Sequence, residues 1–100
     1  MNGLNLVLSD QATDDITVLG LHVADESLIE ADEFIDFIHA HCEELCANPE
    51  LGHNRSKDRD GLRWFQAKPY LIHYRHTPET VEIIRILNSF QANEASLTDK

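Results

Sequence analysis

The first fifty residues contain no lysine and no arginine. Twelve acids lie in the same stretch, from Asp10 to Glu50, so its formal charge is −12. Seven of the eight basic residues fall between Arg55 and Arg85, where there are four acids, giving +3 in a chain of net charge −10. So sharp a split suits two surfaces with different partners, because like charge repels and opposite charge steers encounter. The plainer alternative is a solvated acidic helix face with scattered surface basics.

Other absences narrow the class. No apolar run approaches the roughly 20 residues of a membrane span, so no membrane association is expected. The opening MNGLNLVLSD has no basic n-region, and no signal peptide is expected. There are two cysteines, both on one predicted helix, which fits a reducing, cytoplasmic compartment. No internal repeat or low-complexity stretch is visible. No serine or cysteine nucleophile motif, phosphate-cradling glycine loop or paired metal carboxylates occur, so neither catalysis nor a cofactor is signalled. Overall acidity argues against bulk DNA binding, although the local basic segment offsets this. With 100 residues and 42% apolar composition, the chain reads as one folded domain over residues 1–91 and a polar, mobile tail over 92–100.

The pattern along the chain predicts an α+β fold. Residues 4–8, LNLVL, read as a short strand. Ser9 or Asp10 then offers an N-cap, with Asp14 and Asp15 in the first turns, where the helix dipole favours acids. Ala12, Ile16, Leu19 and Val23 recur at helical spacing. Gly20 within them costs about 1 kcal/mol relative to alanine, and marks either a close helix contact or a weak helix end. Ser27-Leu28-Ile29-Glu30 fits a capping box for a second helix. Its core stripe is Ala31, Ile35, Ile38, Cys42 and Leu45, widened by Phe34 and Cys46. Asn48-Pro49 ends it. The two helices form an antiparallel hairpin. Residues 50–60 read as a loop. Leu62–Ala67, Tyr70–His76 and Val81–Leu87 then alternate as strands of a three-stranded antiparallel meander, broken at Lys68-Pro69 and Thr77-Pro78-Glu79.

Three constellations carry candidate chemistry. His39, Cys42 and Cys46 share a helix face, with His41 and His53 nearby, a set with zinc-like donors. Both cysteines coincide with the core stripe, where cysteine behaves as a small hydrophobe, so no metal is expected. A disulfide between them within one helix is geometrically poor. His73 and Arg75 share one strand face, while Tyr70, Ile72 and Tyr74 share the other. A histidine beside arginines suits acid–base work on RNA; the alternative is the solvated face of a half-buried strand. Arg63, Arg75 and Arg85 fall one on each strand of the meander. In register they make a positive ridge, extended by Lys57 and Arg59, suited to phosphate or acidic-protein contacts. These five are the candidate target-binding residues.

Gly61-Leu62-Arg63-Trp64-Phe65, Tyr70-Leu71-Ile72-His73-Tyr74-Arg75 and Val81-Glu82-Ile83-Ile84-Arg85-Ile86-Leu87 together resemble the RelE/ParE toxin superfamily, on its ParE side. Ala12, Asp15 and Ile16 match the first-helix pattern, and Asn48-Pro49-Glu50-Leu51-Gly52 the turn after the second helix. The resemblance spans roughly residues 4–88. It implies the toxin of a bacterial type II toxin–antitoxin module of the plasmid-stabilisation kind. Such a protein inhibits DNA gyrase, is neutralised by a cognate antitoxin that wraps it, and does not bind nucleic acid sequence-specifically.

The resemblance also implies an alternative, a RelE-type ribosome-dependent endoribonuclease working through Lys57, Arg59, Arg63 and Arg85. A third reading is a degenerate, non-toxic member that still binds antitoxin. The family pattern often ends its last strand with histidine followed by an Arg-Asp pair; here Asn88 and then Phe90-Gln91 stand there. No tyrosine follows Tyr74. These departures favour a non-enzymatic inhibitor over a ribonuclease.

Overall fold

A computed structural model describes residues 3–54 and 61–88. In chain order the elements are β1 (Asn5–Leu8), α1 (Asp10–Ala24), α2 (Leu28–Ala47), β2 (His53–Asn54), β3 (Arg63–Ala67), β4 (Tyr70–His76) and β5 (Thr80–Asn88). The expected strand, helical hairpin and antiparallel meander are all present. The strand β2 is an addition: it lies within the stretch expected to be loop, and pairs His53 with Trp64 and Asn54 with Arg63. The rest of that stretch, with Lys57 and Arg59, lies outside the described residues, as does the tail expected to be mobile.

Ser9 starts α1 and fastens it to the sheet. Its Oγ accepts the Ala12 N–H at 2.9 Å, satisfying an orphan amide of the first turn. The same hydroxyl donates to the Ile84 carbonyl at 2.8 Å. Ser27 caps α2, accepting the Glu30 N–H at 3.1 Å. The reciprocal half of the expected capping box gives way to another bond: the Ser27 N–H donates to the Val23 carbonyl at 3.0 Å. The end of α1 thus supplies the acceptor, and the two helices are joined by a link of three residues.

The sheet order is β1-β5-β4-β3-β2. β1 runs parallel to β5, and the other pairs are antiparallel. Both helices contribute to a core closed against one face of the sheet. Ala12, Phe34, Ile38, Cys42, Leu45 and Cys46 meet Ala67, Ile72, Tyr74, Val81, Ile83 and Ile86 there. Each fully buried large aliphatic of this set contributes about 1.5–3 kcal/mol through burial. Ile35, expected in the core stripe, is 44% exposed. It sits about 100° round the helix from Phe34, beyond the face that meets the sheet. There a Cβ on Gly20 would stand 3.9 Å from the Ile35 Cδ1, which places Ile35 beside α1.

One irregularity matters for the site. His73 pairs with Arg85, but Tyr74 pairs with Ile83, so Ile84 is an extra residue in β5. This bulge lets Ile83 and Ile86 both point into the core while Arg85, between them, takes the other side.

Candidate functional site

The register decides the fate of the arginine ridge. Arg63 pairs with the buried Tyr74 and therefore lies on the helix side of the sheet. Arg75 pairs with Glu82, and Arg85 with His73, on the opposite side. The three side chains do not form a common stripe, because the alternation of β3 and the bulge in β5 set their faces independently.

Each arginine is also engaged locally. Arg63 donates from Nη1 to the Gly52 carbonyl at 3.0 Å. Arg75 donates from Nε to Glu82 Oε1 at 3.3 Å in an exposed pair, of the sort that adds about 1 kcal/mol at most. Arg85 makes a two-pronged contact with Asp15, Nε to Oδ2 at 2.7 Å and Nη2 to Oδ1 at 3.0 Å. These hydrogen bonds raise the pKa of the guanidinium, and burial opposes them.

Asp15 has a second task. Its Oδ2 accepts the Ile86 N–H at 2.9 Å. β1 ends at Leu8, opposite Ile83, and beyond that point α1 takes over the edge of β5. Ser9 occupies the Ile84 carbonyl and Asp15 the Ile86 amide, so a helix side chain stands where a neighbouring strand would supply an acceptor.

Arg63 belongs to a second cluster, around the Asn48–Gly52 turn. The Tyr74 hydroxyl is fully enclosed; it accepts the Gly52 N–H at 2.9 Å and donates to the Pro49 carbonyl at 2.7 Å. Burial raises the phenol's pKa, opposed by the Gly52 hydrogen bond and the Arg63 charge. A Cβ at Gly52 would fall 2.6 Å from that hydroxyl and 2.7 Å from the Trp64 carbonyl, closer than packed atoms approach, so only glycine fits.

The sheet face away from the helices carries a different alignment. His53, Trp64, His73 and Arg85 are direct neighbours across β2, β3, β4 and β5. The His53 and Trp64 rings lie 4.5 Å apart with planes 30° from parallel. On the helix side, a groove of about 350 Å³ opens between α2 and the β3–β4 turn, lined by Phe34, Phe37, Tyr70 and Pro69, with Glu30 and Lys68 at its rim. Phe34 and Tyr70 meet there with ring centroids 5.0 Å apart.

The cysteines are core residues, as the stripe requires. Cys42 and Cys46 are 2% and 7% exposed and are free thiols. Burial, followed by the charges of Cys46 and Glu43, pushes the Cys42 thiol up to about 12. His39 pairs instead with Glu43 at 3.0 Å and His41 with Glu44 at 3.2 Å, both on α2. Among the described residues no group of three His, Cys, Asp or Glu side chains is placed to hold a metal ion. Nor, among them, is any helix long and apolar enough to cross a membrane.

A strand, a helical hairpin and a meander joined by a parallel first strand invite comparison with known proteins. The sequence model of the family described as ParE toxin of type II toxin-antitoxin system, parDE, matches residues 6–92. The chain belongs to the ParE toxin family. It is 32% identical over 85 residues to Toxin RelE3 of Caulobacter vibrioides, covering 84% of this chain and 92% of that protein. It is 45% identical over 56 residues to Toxin ParE3 of the same organism, a match spanning 56% of each. The solved structure described as "Chromosomal ParDE TA system from P. aeruginosa" shares the fold. Its TM-score is 0.70 at 19% identity, covering 85% of this chain and 95% of that one.

Against this ParE fold, sequence patterning alone missed three features. Asp15 matched the helix pattern, but nothing in the sequence pairs it with residues 70 positions away. The His53–Trp64 contact depends on a two-residue strand too short to read. The Tyr74 clip requires knowing where the Pro49 turn lies. Trp64, His73 and Arg85 alternate outward as their strands demand, and only the register was missing.

Proposed function

We propose that this ParE-family chain is the toxin of a type II toxin–antitoxin pair, neutralised by a cognate antitoxin, and that its target is DNA gyrase. The observation that carries the reading is the family match across residues 6–92, which takes in the described elements from β1, less its first residue Asn5, to β5. The apolar groove beside α2, with its aromatic walls, is the seat we assign to part of the antitoxin. Ordering a partner segment there is offset by burial of Phe34, Phe37 and Tyr70.

Inhibition without catalysis is favoured over RNA cleavage by what the arginines and Tyr74 already do. Arg63 holds the Gly52 carbonyl, Arg85 holds Asp15, and the Tyr74 hydroxyl is consumed by Pro49 and Gly52. A ribonuclease needs such groups within reach of a phosphate and a 2′-hydroxyl. Of the candidate contacts, the exposed Arg75 best suits the target, while the roles of Lys57 and Arg59 are proposed from sequence alone.

The test is a supercoiling assay with purified gyrase, run beside primer extension on translated mRNA. Gyrase inhibition relieved by the antitoxin, with no new mRNA ends, is the expected result. Codon-spaced cleavage with unaffected gyrase would transfer the chain to the ribonuclease class.

A further inference from the structure

β5 outruns its neighbour. On one side it pairs with β4 over its whole length; on the other, β1 stops at the Leu8–Ile83 pair. Among the described residues no strand continues that side. An uncovered edge offers backbone donors and acceptors to any other strand. Here the strand itself is well suited to self-pairing. Residues 81–87, VEIIRIL, hold five aliphatics, no proline and no glycine, and the charges of Glu82 and Arg85 cancel. Segments of this composition add to copies of themselves wherever an edge is open.

Side chains at the start of α1 occupy this edge. The Ser9 hydroxyl fills the Ile84 carbonyl at 2.8 Å, and Asp15 Oδ2 accepts the Ile86 N–H at 2.9 Å. A hydroxyl and a carboxylate thus imitate the donor and acceptor of an adjacent strand. The two are held differently. The Ser9 N–H donates to the Ile83 carbonyl at 3.0 Å, so the backbone itself keeps Ser9 in place. Asp15 reaches the edge by its side chain alone. Arg85 Nε and Nη2 bind its two oxygens at 2.7 and 3.0 Å, which balances the carboxylate's charge. With the Asp15 side chain only 14% exposed, little water competes for the Ile86 amide.

We propose that residues 84–87 of β5 are a pairing surface for the same strand of a second copy, and that Asp15 keeps this surface closed. The closing group is the carboxylate oxygen on the Ile86 amide; the ion pair with Arg85 is secondary. The hairpin's charge works in the same direction. Residues 10–47 hold eleven acids and no lysine or arginine, so a second copy brought to this edge sets acid against acid. The assignment stands independently of the toxin reading, because it uses only α1 and the strand beside it.

Three variants of the full chain separate the roles. Asp15→Ala removes the acceptor, Asp15→Asn keeps an oxygen for the Ile86 N–H, and Arg85→Ala removes the ion pair but leaves the carboxylate. Amide hydrogen exchange reads the edge directly. In the parent, the Ile86 amide is expected to be as protected as that of the core residue Ile72; an unprotected Ile86 would overturn the proposal even if no variant folds. Relative to Ile72, Ile86 should exchange about tenfold faster in Asp15→Ala, the worth of roughly one hydrogen bond, and near the parental rate in Asp15→Asn. Sedimentation velocity over rising concentration should show Asp15→Ala associating while the parent and the other two variants stay monomeric. A monomeric Asp15→Ala, or a parent that associates as readily, would overturn the proposal. So would association of Arg85→Ala at matched urea stability, which would trace self-association to lost stability rather than to an opened edge.

Discussion

Tyr74 is the residue on which the turn after the second helix depends. Its hydroxyl serves one donor and one acceptor of that turn in a site without exposure. Tyr74→Phe keeps the ring and strands both backbone groups, at a cost of about 1–3 kcal/mol. Urea unfolding should show a lower midpoint with an unchanged slope; a midpoint equal to that of the parent would mean the turn holds without the clip. Cys42 gives a pH-dependent counterpart. Its thiol is raised from 9.0 to about 12 in the folded chain, so the unfolded chain loses its proton first. The stabilisation is complete below pH 9 and is lost as pH rises toward 12. The melting temperature of the parent should therefore fall more between pH 9 and 11 than that of Cys42→Val, which has no thiol to ionise. Parallel curves would disprove it. The sequence placed Ile72 and Tyr74 on one strand face and both cysteines in the core stripe, because period and hydrophobicity are local. It was silent on the hydroxyl's partners, since Gly52 and Pro49 lie 22 and 25 residues away.

Among the elements, the helices were the most legible and the edge of β5 the least. Helical spacing located Ala12, Ile38, Cys42 and Leu45 correctly in the core. It put Ile35 there as well, because a stripe read from sequence has no fixed centre until the sheet beneath it does. The bulge at Ile84 left no mark on a run of alternating aliphatics, and with it went the register of Arg85. Gly20 tests the packing of the hairpin. A Cβ at this position would meet the Phe34 ring at 3.8 Å, an ordinary van der Waals contact, so the glycine is not required by space. Gly20→Ala should then stabilise the chain by about 0.5–1 kcal/mol through reduced freedom of the unfolded backbone. Differential scanning calorimetry should show a higher melting temperature. A lower one would mean that the helices approach more closely than the side-chain positions indicate.

For the molecule as a whole, the split charge has become a geographical fact. The acids cover the hairpin, while the described arginines stand on the sheet, held by the Gly52 turn, by Glu82 and by Asp15 of α1. A partner reaching the hairpin enters a one-signed field, which speeds encounter at low ionic strength. Association with the antitoxin should slow steeply as added salt shortens the Debye length from about 30 Å to about 8 Å. Stopped-flow rates that stay flat over that range would confine the hairpin's charge to solubility. The pairing of β1 with β5 carries a further consequence, for synthesis. Asn5 is synthesised 75 positions before Thr80, its neighbour in the sheet. Until then Leu4 and Leu6 have no strand to lie against, and the Ile84 carbonyl and Ile86 amide served by Ser9 and Asp15 do not yet exist. A ribosome stalled before β5 is complete therefore holds a helical hairpin whose first strand still lacks its partner, and this edge of the sheet closes only when β5 has been made.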